Sequence, residues 1–283
     1  MRHPSACLVL ALAAACVPPG SAGDQDAGKP SSAVPPPVLN TAQAPTPTPA
    51  APPAAADLLR TPFEDNFDRN SPALPAPPAA VTAAPGPPAS AAVVAAPGGV
   101  DPGADWEATQ PGIWRIESGR LCGEHARNHG LWLKRTLPVN ARIEFDASSQ
   151  STDGDLKAEY WGDGRSFATK LSYTDATSYL TIFGGWHNKY HVLARINEHG
   201  NDRKEITVDP TSDDPREKPA VAGQIYHFKV ERTDGRTVRF LVDDVEYLTF
   251  NDSAPLVGAG HDHFGFNEWA VKVCFDNVKV TPL

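Results

Sequence analysis

The run YHFKVERTDGRTVRFLVDDVEYLTF at 226–250 constrains the fold more than any other stretch of this chain. Tyr226, Phe228 and Val230 alternate with His227, Lys229 and Glu231. A period of two is the mark of a strand with one buried and one wet face. Asp234-Gly235 is a hairpin-turn signal, and Val238, Phe240 and Val242 then share one face of the return strand. Asp243-Asp244 makes a second turn, and Val245, Tyr247 and Leu248–Phe250 form a third strand. Such a meander is apolar on one side and must bury that side against a second layer.

The rest of the region after Trp106 supplies that layer. Ile113–Leu121, broken by Ser118-Gly119, reads as strand. In 130–135, Leu131 and Leu133 share one face, with Trp132 and Lys134 on the other. Ile143, Phe145 and Ala147 alternate with Arg142, Glu144 and Asp146. In 156–160 the polar face carries Asp155, Lys157 and Glu159, which read as a solvated charge ladder. Strands are expected over 171–184 and 190–198, separated by a corner at Gly184-Gly185, and again over 264–269 and 271–280. Asp202–Pro219 reads as a long surface loop. No segment shows a sustained helical period, and short strands with frequent turn signals imply an all-β sandwich or barrel.

The N-terminal part has a different character. Arg2 and His3 precede a short apolar segment, Ala6–Ala15, closed by Cys16. That length suits a cleaved export signal and is too short to span a bilayer. Leu12-Ala13-Ala14-Ala15-Cys16 resembles a bacterial lipobox, although Ala13 stands where leucine is common. The resemblance implies lipidation at Cys16, an anchor in the cell envelope, and, with Val17 in the next position, the outer membrane. An ordinary secretory signal is the alternative. Residues 17–60 are rich in Pro, Ala, Ser and Thr and are expected to form a disordered tether. An island, TPFEDNFDRN at 61–70, interrupts the low complexity, which resumes from Ser71 to about residue 104. Phe63 and Phe67 are expected to belong to a first strand, which makes 71–104 a disordered insertion within a β-domain spanning 61–283.

The formal net charge of −9 gives no basic footprint for nucleic acid. Cys122 and Cys274 both lie in strand-like runs of an exported domain, where a disulfide is expected. Two buried free thiols are the alternative.

FEDNFDR, WRIESGRL, the meander with its V-D-D turn and the terminal FDNVKV together resemble the concanavalin A-like lectin/glucanase (LamG-like) sandwiches. The resemblance implies a two-sheet antiparallel jelly roll with first and last strands side by side. Members of that superfamily bind glycans, cleave them, bind proteins or serve structurally, so the fold leaves function open.

The glucanase branch carries E-x-D-x-x-E on one strand, and this chain lacks it. Asp155 and Glu159 share a strand face but stand ~13 Å apart, beyond the ~5.5 Å and ~9.5 Å of retaining and inverting glycosidases. Glu144 and Glu159 remain as a possible cross-strand pair. His261-Asp262-His263 puts two imidazoles on one side of a strand but lacks a third metal ligand. Asp153, Asp155 and Asp163 suit calcium, which the superfamily sometimes binds, or are simply turn residues. No catalytic residue or cofactor other than possible calcium is therefore assigned.

The corner and the strand after it offer a ligand site: Trp186, His187, Asn188, Tyr190, His191 and Arg195. An indole suits the apolar face of a sugar, while Asn, His and Arg address hydroxyls. The expected function is a non-catalytic carbohydrate-binding or recognition domain on a membrane-tethered envelope lipoprotein. The alternatives are a glycan hydrolase or lyase with atypical acid/base residues, and a structural lipoprotein without a small ligand.

Overall fold

The computed structural model describes residues 58–69 and 99–283. The export signal with Cys16, residues 17–57 of the expected tether and 71–98 of the expected insertion lie outside them, but the ends of both are structured: Leu59 is buried in the core and its N–H donates to the Thr136 carbonyl, and Val100 exchanges backbone hydrogen bonds with Ile116. Among the described residues no helix is long and apolar enough to cross a membrane.

The 226–250 meander folds as three neighbouring antiparallel strands. Asp243 and Asp244 both take left-handed φ, 49° and 62°, as a two-residue hairpin of primed type requires. Asp234 Oδ1 accepts from the backbone N–H groups of Arg236 and Thr237 and so closes the first turn.

In chain order the strands are β1 (Phe63–Asp65), β2 (Trp106–Ala108), β3 (Arg115–Glu117), β4 (Arg120–Gly123) and β5 (Leu131–Leu133). They continue with β6 (Ala141–Ser149), β7 (Leu156–Gly162), β8 (Tyr179–Gly184), β9 (Tyr190–Arg195) and β10 (Lys204–Thr207). The last five are β11 (Tyr226–Arg232), β12 (Thr237–Val242), β13 (Val245–Asn251), β14 (His263–Asn267) and β15 (Val273–Pro282). The first sheet runs β13-β12-β11-β6-β15-β4-β3, with β1 also on β15, and the second runs β10-β9-β8-β7-β14-β5-β2. Every strand pair is antiparallel. The chain is thus a two-sheet jelly-roll sandwich. The first and last strands are neighbours, with Phe63 opposite Val280.

The core lies between the sheets and centres on Phe145 of β6. Its ring stacks on Phe228 at 5.2 Å and meets Phe266 of the opposite sheet edge-on at 5.2 Å. Phe266 stacks in turn on Phe275 at 4.1 Å. Each aromatic pair of this kind adds about 0.5–1.5 kcal/mol beyond the area it buries.

The two outer faces differ. That of the first sheet is a ladder of charges, in which Glu231 receives Arg142 at 2.9 Å and Arg239 at 2.5 Å. On the second sheet the expected solvated ladder is instead buried: Lys157 is 3% and Glu159 0% exposed. The cause is a strap, 163–178, that crosses this face and packs Ala168, Tyr173 and Ala176 against Leu180, Ile182, Val192 and Ala194. The strand expected from residue 171 therefore begins only at Tyr179. Conversely, the stretch read as a loop over 202–219 contains β10, which adds to β9 as an edge.

Cys122 and Cys274 stand opposite each other on β4 and β15 and form a disulfide, with a sequence separation of 152. In the loop-closure model, a loop of that length corresponds to at most about 5 kcal/mol. Reduction, or the double change to Ala, is expected to lower unfolding free energy by about 2–5 kcal/mol in urea titrations. An unchanged midpoint would mean that the cross-link does not constrain the unfolded chain.

Candidate functional site

A cleft of about 330 Å³ opens at one end of the strap-covered face. Its lining includes Asn128, Asp155, Lys157, Trp186, Glu198 and Trp269. Five parts of the chain build it: the turn before β5, the start of β7, the strap through Leu171 and Ser172, the β8–β9 corner with the loop after β9, and the loop after β14.

The corner is one turn of left-handed helix. Trp186 (φ 52°, ψ 52°) and His187 (φ 60°, ψ 52°) are followed by Asn188 at φ 58°. For L-residues this conformation costs roughly 1–2 kcal/mol each. Asn188 holds it in place: its Nδ2 donates to the carbonyls of Thr152 (2.6 Å) and Ala220 (2.8 Å), and its Oδ1 accepts from Ala220 N–H (2.8 Å). The Lys189 N–H closes the turn on the Gly185 carbonyl at 2.9 Å. The Gly184 carbonyl accepts from Asp155 N–H at 3.0 Å, which ties the corner to the base of the cleft. Arg127, Asn128 and Asp155 also hold φ between 51° and 62°. Such outliers gather where the surrounding structure over-determines the backbone, often at ligand sites.

The most buried part of the lining is polar. Lys157 Nζ donates to Glu198 Oε2 (2.8 Å) and Asn128 Oδ1 (2.8 Å). Glu198 Oε1 accepts from the Tyr173 N–H of the strap at 2.9 Å. Burial raises the Glu198 carboxyl, but Lys157 and the Tyr173 N–H together hold the group below its usual value. Asp155 Oδ2 accepts from Trp269 N–H at 3.2 Å, and burial pushes its carboxyl up. Asp155 Oδ1 and Asn128 Nδ2 have no hydrogen-bond partner among the described residues, and neither is among the sealed, unpartnered atoms. Behind Asp155, fully buried Glu268 accepts from Ala126 N–H through Oε1, while Oε2 has no partner. Burial, with the nearby Asp155 charge adding to it, pushes Glu268 up to about 8.

The six residues expected at a ligand site separate in the structure. Trp186 and His187 line the cleft. Tyr190 lies against Trp186, with ring centroids 6.1 Å apart. Asn188 is consumed by the corner it stabilises. His191 lies on the core side of β9, fully buried and stacked on Phe183 at 4.2 Å. Its Nδ1 accepts from Gly184 N–H and its Nε2 lies 3.0 Å from the Lys218 carbonyl, so it does not reach the cleft. Arg195 is held by Asp252 at 2.7 Å and the Ala254 carbonyl at 2.8 Å. Asn188 is thus taken up by the corner, and His191 and Arg195 point away from the cleft because a strand turns alternate residues to opposite faces. Asn128, Asp155, Lys157, Glu198 and Trp269 take their place. The alternation of Asp155 and Lys157 is visible in sequence, but the convergence of five parts of the chain is not.

The other candidate groups do not converge. Asp163 accepts from Arg165 N–H and Ser166 N–H, and Asp153 Oδ2 lies 2.9 Å from His187 Nδ1. His261 Nδ1 lies 2.7 Å from the Thr177 carbonyl, and His263 Nδ1 lies 2.8 Å from Asp262 Oδ1. Among the described residues no three acidic, His or Cys groups are placed to hold a metal ion. Glu159, sealed beneath the strap, accepts from Ser178 Oγ (2.6 Å), Asn267 Nδ2 (2.6 Å) and Tyr173 Oη (3.2 Å). Burial pushes Glu159 up to about 7.

No protein-family model matches the chain, and no curated protein matches it in sequence. Similar solved structures include a carbohydrate-binding module from Bacillus subtilis, 16% identical, TM-score 0.44, covering 62% of this chain and 94% of that one. A Bacillus licheniformis β-glucanase is 11% identical, TM-score 0.46, over 79% and 99% of the two chains. A structure from work on endo-acting O-glycanases of human gut microbiota is 15% identical, TM-score 0.48, over 78% and 98%.

The raised Glu268 carboxyl has a consequence for stability. Between its ordinary value of 4.5 and about 8 the folded chain holds a proton that the unfolded chain has lost. Stability therefore falls as pH rises through that window, by at most about 1.4 kcal/mol per unit. Glu268→Gln is expected to flatten this decline, so that variant and parent melt further apart at pH 8 than at pH 5. Parallel pH profiles of the melting temperature would show that Glu268 does not titrate there.

Proposed function

We propose that this domain recognises carbohydrate without cleaving it, through the cleft shared by Trp186 and Trp269. The observation that carries the reading is the unpaired acceptor and donor, Asp155 Oδ1 and Asn128 Nδ2, at the base of a cleft with two partly exposed indoles. Ligand sites combine apolar, aromatic walls with a few fixed polar groups. Sugar hydroxyls donate and accept together, as this base does, and the apolar face of a pyranose packs on an indole. Lys157 and Glu198 keep the base rigid by mutual pairing.

The same geometry leaves two of the nearby carboxylates unsuited to hydrolysis. Glu159, the carboxylate on the expected strand face, is covered by the strap. Glu198 has both oxygens committed, to Lys157 and to Tyr173 N–H, so it is not free to activate water.

The lipobox-like segment and Pro-rich tether support an exported domain held in the envelope, in the outer membrane, by a lipid on Cys16. Labelled fatty acid is expected to enter the full chain and to be absent from Cys16→Ser. Label retained by that variant would remove the anchor from the proposal.

A glycan array probed with the parent domain is expected to give defined binders. Trp186→Ala and Trp269→Ala should each weaken those binders by about fivefold or more, given about 1–3 kcal/mol for loss of an aromatic platform. Binding to no glycan, or binding untouched by both substitutions, would falsify this assignment.

A further inference from the structure

The cleft carries more negative than positive charge. Asp153, Asp155 and Glu198 contribute carboxylates to its lining, and Lys157 contributes the one ammonium. That ammonium is matched by Glu198 at 2.8 Å. His187 lies against Asp153 at 2.9 Å, and His199 against Glu198 at 3.4 Å. Beside the cleft, Arg203 is paired with Glu205 at 2.6 Å. Exposed Arg127 stacks over the Trp269 ring, 4.6 Å from its centroid. Asp155 is left with one oxygen unpaired, and buried Glu268 stands behind it with an oxygen that no group satisfies.

We propose that the group bound at Asp155 is a protonated amine, and that the cleft selects glycans containing free amino sugars, such as deacetylated hexosamines, over acetylated or neutral ones. This rests on the glycan-binding reading of the same cleft. An ammonium offers three N–H donors and no acceptor, and so complements an unpaired carboxylate oxygen. Charge-assisted bonds of this kind are roughly twice as strong as neutral ones. Both indoles of the cleft already take a guanidinium, at 4.6 Å over Trp269 and 5.0 Å over Trp186, and aromatic faces favour cations. Burial makes ionisation of Asp155 and Glu268 unfavourable, and a bound ammonium would offset that cost for Asp155. An acetamido group lacks that charge, and a uronic acid meets Asp155 and Glu198 with the same sign. The acidic chain as a whole, −9, draws a polycationic glycan toward it.

The test is calorimetric titration of the full chain with three tetrasaccharides at about pH 6 and low salt, where surface charge is little screened. One is built of glucosamine, one of N-acetylglucosamine and one of glucose. The amine is expected to bind at least about tenfold tighter than the other two, with the margin shrinking as salt is added. Asp155→Asn should remove the margin. Asn tolerates the left-handed backbone that Asp155 adopts at φ 61°, and an unchanged melting temperature shows that the variant is folded. Should that variant melt early, Asp153→Asn, which removes another carboxylate of the lining at a partly exposed side chain, is expected to narrow the margin, and an undiminished margin in that variant overturns the amine assignment. Equal affinity for all three probes, or preference for the acetylated one, overturns the amine assignment and leaves glycan binding standing. Amine binding that Asp155→Asn leaves intact in a folded variant overturns it too. Failure of these probes and of every glycan on the array removes both readings.

Discussion

Every feature of this molecule depends on the packing of two sheets through one aromatic cluster. Phe145, Phe228, Phe266 and Phe275 bring β6, β11, β14 and β15 into register across the sandwich. Once those rings face inward, alternation sends every second residue outward. The first sheet meets this with a charge ladder in which the buried Glu231 is held between two partly exposed arginines, Arg142 and Arg239. The second sheet turns Lys157 and Glu159 toward the strap, and burial changes what those side chains must do.

A charge removed from water needs a partner. Lys157 finds Glu198 and Asn128, and Glu159 finds Ser178, Asn267 and Tyr173. These contacts fasten the strap and the loop after β9 to the sheet, and the cleft is the space they leave at its end. Breaking such a buried pair typically costs 3–5 kcal/mol, because the survivor keeps an uncompensated charge. The polar base of the cleft is thus rigid for a structural reason, and rigidity is what a binding site for a small polar ligand requires.

The left-handed corner belongs to the same network. Three consecutive non-glycine residues hold a backbone that L-residues avoid. Asn188 anchors it to the carbonyls of Thr152 and Ala220, and Asp155 N–H anchors it from the other side. In that geometry Trp186 and His187 reach the cleft, whereas an ordinary two-residue hairpin would leave them at a strand end. The strain is local, and its product is the placement of an aromatic side chain beside Asp155.

The sequence by itself determined the sandwich. The alternation at 226–250 and 141–148 and the Asp-Gly and Asp-Asp turns act over short spans, so they are legible in order along the chain. It also marked the corner with Trp186 as a candidate site. It could not reveal that His191 faces the core, since that depends on which side of β9 the opposite sheet covers. Nor could it reveal that the charges of β7 are sealed, because that was decided by a strap whose own residues, 163–178, carry no strong pattern. The cleft joins Asn128, Asp155, Trp186, Glu198 and Trp269, up to 141 positions apart (269 − 128). Only the pairing of β14 with β5 and β7, and of β8 with β7 and β9, brings them together. Strand order is a property of the whole packed chain, and with it the tertiary structure, not local preference, decided where the site is.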